Sequence, residues 1–167
     1  PAVTTFLDTT TAPLTNYAYR VRAANLAGVS DYATSATLGT RAVFTAASVA
    51  QSGSGTVQEV LTTVGKGCVV RVTRPPRDFG SACGGSFSLI LLIRESETVV
   101  RALLGHCTHQ CFTPPTLFYQ ESQQVIHCNA HGSEFELNGA VRFGPAGSPL
   151  PSFQTQLFPE RIEIYRA

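Results

Sequence analysis

Methionine and tryptophan are missing from this 167-residue sequence, and lysine occurs once, as Lys66, against eleven arginines. Charged residues make up only 14% and the formal net charge is +1. That balance offers no basic field to nucleic acid or to an anionic lipid surface, and no acidic tail. No apolar run reaches the roughly 20 residues that a membrane-crossing helix needs. Residues 1–11, PAVTTFLDTTT, carry neither a basic start nor a hydrophobic signal core. These features leave room for a signal or anchor upstream of Pro1. Signatures of a catalytic nucleophile, a phosphate-binding loop or a substrate pocket are also lacking.

What is present is 43% hydrophobic residues, enough for one good core or two small ones. Abundant Thr, Ser, Val and Gly give a β-rich composition of the kind found outside the cytoplasm. The chain is therefore expected to be all-β and periplasmic, extracellular or on the cell surface.

The first forty residues read as three strands, VTTFLDTT, NYAYRVRAAN and YATSATLGT, separated by APLT and LAGVS. Aromatic and β-branched residues alternate there with polar ones, as half-buried strands require. Residues 14–33, LTNYAYRVRAANLAGVSDYA, resemble the C-terminal half of a fibronectin type III domain, with Tyr17 at its tyrosine-corner position and a turn at Gly28 to Ser30. The match covers about three of the seven strands of that sandwich. The missing strands would leave an apolar face and a sheet edge bare, so the resemblance implies cover from an upstream segment or from other subunits. Residues 1–46 are assigned to this module, and 47–56, rich in Ser and Gly, to a linker.

From Val57 strands are expected again: TVQEVLTTV, GCVVRVTR, then FSLILLIRE and TVVRALLGH joined by a turn around Ser96. The insert RPPRDFGSACGG, residues 74–85, is turn-rich. Cys68 and Cys83 flank it with 14 residues between them. A disulfide there would contribute roughly 3 kcal/mol, although two buried thiols would look the same in sequence. Five cysteines (Cys68, Cys83, Cys107, Cys111 and Cys128) form an odd set.

The segments HCTHQCFTPP and HCNAHGSEFELNG carry the chemistry. Cys107-x-His109 and Cys128-x-x-His131 stand 18 residues apart, each loop offering one sulfur and one imidazole. Such a set suits a metal centre gripped by two hairpins. A zinc finger would instead place Cys-x2-Cys before His-x3-His on a helix. His106 and His127 directly precede the two cysteines and are read as non-ligands, since neighbouring strand residues face opposite ways. Glu134 and Glu136 are read as a solvated strand face.

These boxes resemble those of the Rieske iron-sulfur family: CTH the first, CNAHGS the second, and FELNGAVRFGPAGSPLPSF the strand and proline-rich loop that follow. The resemblance spans residues 57–167. It implies an antiparallel Rieske β-sandwich with a cluster-binding subdomain and a 2Fe-2S cofactor. Cys107 and Cys128 would hold the inner iron, and His109 and His131 the outer, electron-accepting one. Neutral imidazoles in place of thiolates raise the potential, and their solvent-facing N–H groups couple electron uptake to proton uptake. Ser133 falls where the family has a hydroxyl donor to a bridging sulfide, and Gly132 where close backbone approach is wanted.

Two departures matter. Phe135 stands where high-potential members of respiratory bc complexes have a tyrosine, implying a lower potential here. Ala130 replaces one of the two cysteines that bridge the ligand loops in those members, and Cys111 falls one residue early, leaving a buried thiol or a pairing with Cys68 or Cys83. The function implied is one-electron transfer, as a carrier or as a subunit of an oxidoreductase complex. Its partner would be a cytochrome, another iron-sulfur protein or a quinol. The competing expectation is an adhesive or structural module in which the metal only staples the fold.

Overall fold

The computed structural model describes residues 5–51, 54–73, 87–110 and 117–165. Its N-terminal part is one long hairpin cut into three rungs. Strands β1 (Asn16–Tyr17), β2 (Arg20–Val21) and β3 (Ala24–Asn25) run up, and β4 (Gly28–Val29), β5 (Ala33–Thr34) and β6 (Leu38–Gly39) run back. The pairs Asn16↔Gly39, Arg20↔Thr34 and Ala24↔Val29 show the register slipping by one residue from rung to rung. A hydroxyl closes each slip. Thr40, Ser35 and Ser30 accept the amides of Thr15, Tyr19 and Ala23 at 3.0 Å, so the bulges leave no backbone donor bare. Residues 5–10, expected as a first strand, join no sheet. They are held instead by Asp8, which accepts from Thr10 N at 2.8 Å and from Tyr19 Oη at 3.1 Å.

The rest of the chain contains strand β7 (Ala42–Thr45), helix α1 (Val57–Thr62), β8 (Gly67–Thr73), β9 (Phe87–Arg94), β10 (Val100–Leu104), β11 (Leu117–Gln120), β12 (Val125–Cys128), β13 (Glu134–Phe135), β14 (Val141–Phe143), β15 (Ser152–Leu157) and β16 (Arg161–Tyr165). A six-stranded antiparallel sheet has the order β7-β16-β15-β10-β9-β8. Between β10 and β15 the chain leaves it to build a four-stranded sheet, β11-β12-β13-β14.

Strand β9 explains its own unbroken apolar run. Ile90 and Leu92 face a core with Phe44, Val60, Val70 and Ile164, while Leu89, Leu91 and Ile93 face a second core with Leu117, Ile126 and Phe135. A strand buried on both faces needs no polar alternation. The second core fastens the small sheet to the large one.

Four expectations are corrected. TVQEVLTTV does not form a strand, because Thr56 and Glu59 make a capping box: Thr56 Oγ1 accepts Glu59 N at 3.1 Å and Glu59 Oε2 accepts Thr56 N at 2.7 Å. The resulting helix buries Val57, Val60 and Leu61, a helical i, i+3, i+4 spacing. Ala42–Thr45, placed with the N-terminal module, pairs with β16 from Ala42↔Ile164 to Thr45↔Arg161 and so belongs to the large sheet. The expected linker is also structured in part, since Gln51 N donates to Val69 O at 2.7 Å. Finally, Cys68 is a free, fully buried thiol in the first core rather than a bridge partner. Cys83, Cys111 and the 74–85 insert lie outside the described residues. Among the described residues no helix is long and apolar enough to cross a membrane.

Candidate metal centre

The loop that carries Cys107 and His109 leaves the end of β10 at Gly105. A Cβ there would lie 2.9 Å from the Leu89 carbonyl carbon, so only glycine lets the chain turn this close to β9. Gly105 N donates to Leu89 O at 2.7 Å and His106 Nε2 accepts Leu89 N at 3.2 Å. His106 is thus a buried anchor, its Nε2 lone pair already used. That role was hidden in the sequence, where His106 was read only as not a ligand. Cys107 follows it and is buried, whereas His109 is half-buried.

The second loop starts at the last residue of β12, the buried Cys128. Its ends are tied across the turn: Cys128 N donates to Ser133 O at 2.8 Å and Cys128 O accepts Gly132 N at 2.9 Å. Gly132 takes φ +74°, a left-handed conformation that suits glycine, and the turn leaves His131 exposed.

Together the loops sort the donors by type. The His109 and His131 rings meet edge to face with centroids 4.8 Å apart. Cys107 and Cys128 lie in the second core with Phe135, close enough for their sulfurs to interact. Burial pushes the Cys107 thiol pKa up, and the neighbouring Cys128 adds to this, while the His109 amide and the Ser133 hydroxyl pull the other way by donating to the sulfur. Among the described residues no three His, Cys, Asp or Glu side chains converge on one ion-sized position.

Residues 144–151 form a third loop that clasps both others. Ala146 N donates to Ser133 Oγ at 3.1 Å, and Thr108 Oγ1 donates to Ser148 O at 2.5 Å. Gly144, at φ +97°, sits so close that a Cβ would be 2.6 Å from Ser133 Cα. These clasps span segments that are far apart in sequence.

The remaining candidates face away. His127 pairs across the small sheet with Phe118 and Glu134, its Nδ1 being 3.6 Å from Glu134 Oε1. Glu136 is exposed and 3.8 Å from Arg142.

One atom in the site speaks directly for a missing partner. His109 Nδ1 is buried and makes no hydrogen bond. A buried ring nitrogen in this state is costly unless something accepts or receives it. Two sulfurs, two imidazoles and a hydroxyl donor beside them fit an iron-sulfur group.

The profile of the Rieske [2Fe-2S] domain matches residues 62–154. The chain is 33% identical over 75 residues to the cytochrome b6-f complex iron-sulfur subunit 2 of Nostoc sp. strain PCC 7120, covering 44% of this chain and 40% of that protein. The subunit of the same name from Trichormus variabilis is 32% identical over the same shares. The chain thus spans about 40% of the length of the curated relatives it matches. Among solved structures, the plasma membrane Rieske protein PetC3 from Synechocystis PCC 6803 aligns at 21% identity and TM-score 0.43, over 57% of this chain and 84% of that one. The ferredoxin of carbazole 1,9a-dioxygenase from Nocardioides aromaticivorans IC177 aligns at 17% identity and TM-score 0.41, over 48% and 77%.

Proposed function

This chain belongs to the Rieske [2Fe-2S] family, and we propose that it is an extracytoplasmic one-electron carrier whose cluster is held by Cys107 and Cys128 on one iron and His109 and His131 on the other. When bound, such a cluster supplies one-electron redox chemistry at a potential raised by its imidazole ligands. The observation that carries the proposal is the His109–His131 ring contact at the outer side of two buried cysteines.

The chain's own residues divide the work. Cys107 and Cys128 keep the sulfur side dry inside the second core. Ser133 presents a hydroxyl to the Cys107 sulfur, and Gly132 allows the turn that carries His131 outward. His131 is then the point where a redox partner meets the protein and where a proton follows the electron. A cytochrome or a second iron-sulfur protein suits this tip. A quinol donor would require a hydrogen bond to the same imidazole.

The N-terminal hairpin is read as the last hairpin of a fibronectin type III sandwich. Tyr17 Oη accepts Ala12 N at 2.8 Å, the backward bond of a tyrosine corner. Val21, Leu26, Val29 and Leu38 are exposed, and a lone two-stranded ribbon is marginal in water. We therefore assign it a covering partner, upstream chain or neighbouring subunit. The division from the Rieske domain falls between Thr40 and Ala42, because β7 pairs with β16.

The rival function, a metal that merely staples an adhesive module, fits poorly with an exposed ligand, because structural sites are normally closed. Iron and acid-labile sulfide analysis of the purified protein separates the two. About two of each per chain is expected for the carrier; zinc without sulfide would leave the staple.

A further inference from the structure

The outer face of the small sheet carries one continuous row of side chains. Phe118 on β11 stands opposite His127 on β12, His127 opposite Glu134 on β13, and Glu134 opposite Phe143 on β14. Opposed residues of paired strands share a face. Their sequence neighbours Leu117, Cys128 and Phe135 point the other way, into the second core. The Phe118 and His127 ring centroids are 5.4 Å apart, and Glu134 Oε1 lies 3.6 Å from His127 Nδ1. Phe143 ends the row on the edge strand and is 69% exposed. His127 directly precedes Cys128, and Glu134 directly follows Ser133. A molecule seated on the row therefore lies beside the candidate centre on its cysteine side.

Charge singles out what fits there. Residues 106–150 hold three glutamates, Glu121, Glu134 and Glu136, against one arginine, Arg142, whereas the rest of the chain has eleven Lys and Arg against eight Asp and Glu. Within this acidic stretch Glu121 is paired with Lys66 at 2.6 Å, and Glu136 lies 3.8 Å from Arg142. Glu134 has no Lys or Arg within 4.0 Å among the described residues, and its ion-pair neighbour is His127. A half-buried carboxylate so placed attracts a cation from outside, the more strongly because its flanks are of low dielectric. Phenyl faces accept a guanidinium or an ammonium group. An exposed ring next to such a charge is also the kind of anchor that protein interfaces use.

We propose that the row Phe118, His127, Glu134 and Phe143 is a docking face for a basic redox protein, which sets an arginine or lysine against Glu134 and over the Phe143 ring. The proposal rests on the carrier reading above and adds to it a second contact besides the His131 tip. Donor and acceptor then need not compete for one imidazole.

The test is isothermal titration of the cluster-bearing protein with oxidised mitochondrial cytochrome c, a lysine-rich haem protein, at ionic strengths of about 0.01 M and about 0.15 M. Myoglobin, a near-neutral haem protein, is the control. Saturable binding of the cytochrome is expected at the lower salt, weakening as salt rises. Glu134→Gln and Phe143→Ser should each raise Kd by about threefold or more. Glu97→Gln makes the same charge change at an exposed site at the opposite end of the large sheet, where Val100 pairs with Arg94, and should leave Kd unchanged. No binding of the cytochrome, equal binding of myoglobin, equal effects of Glu134→Gln and Glu97→Gln, or an unchanged Kd in Phe143→Ser overturns the proposal. Self-association that Phe143→Ser abolishes, without cytochrome binding, gives the face to a second copy and overturns it too. Iron and sulfide content of the same sample separates the two failures: a cluster-bearing protein that binds without regard to Glu134 sinks the docking face alone, whereas a zinc protein sinks the carrier reading and the docking face with it.

Discussion

The Ser133 hydroxyl accepts the Ala146 amide at 3.1 Å and donates its own proton toward Cys107. One buried side chain thus clasps the third loop to the second and favours negative charge on the Cys107 sulfur. Ser133→Ala should lower the midpoint potential by roughly 60–130 mV, since a hydrogen bond to a charged group is worth about 1.5–3 kcal/mol and about 1.4 kcal/mol is 59 mV for one electron. Spectroelectrochemical titration of the two proteins measures this. An unchanged potential would remove the sulfur contact from the account.

Gly144→Ala should weaken retention of the cluster. The position combines φ +97° with a Cβ contact of 2.6 Å to Ser133 Cα. Backbone strain alone costs roughly 1–2 kcal/mol, and the clash pushes the third loop off the second. Iron content after dilution and gel filtration should fall faster than in the parent, with the large sheet still folded by circular dichroism.

His106 and His109 lie three residues apart and should answer mutation in opposite ways. His106→Ala leaves the buried Leu89 amide without its acceptor, a loss of roughly 2–4 kcal/mol once the cavity is included. Its reduced-state resonance signal should keep its position. His109→Ala should lose that signal. A shifted signal in His106→Ala would bring that ring into the ligand set.

Burial pushes the Cys68 thiol up to about 12 from 9.0. Between those values the unfolded chain ionises while the folded thiol stays protonated. Stability is therefore fully present below pH 9 and falls as pH rises toward 12. Urea unfolding across that window should show a steeper decline for the parent than for Cys68→Ala. Parallel curves would mean that the thiol is not sealed in the core. Below pH 9, iodoacetamide should label Cys68 only after denaturation.

The sequence exposed some of this and hid the rest for definite reasons. The run FSLILLI announced a buried strand because both of its faces meet a core. The family was legible because the chemistry of such a domain fixes residue type and spacing within a few positions of the two Cys-His boxes. Helix α1 was misread because Val57, Val60 and Thr62 are β-branched, yet Thr56 and Glu59 carried the signal of a capping box. Strand β7 could not be placed because its partner β16 begins over a hundred residues later. The link of Thr108 to Ser148 and the closeness of Gly144 to Ser133 arise only when the third loop folds back over the first two.

The most direct test of the central claim is low-temperature electron paramagnetic resonance of the dithionite-reduced protein, followed through a redox titration at several pH values. A Rieske-type signal is expected, with a midpoint potential that falls as pH rises through the titration of the His109 and His131 imidazoles. A colourless, silent protein, or a signal with a pH-independent midpoint, would contradict it.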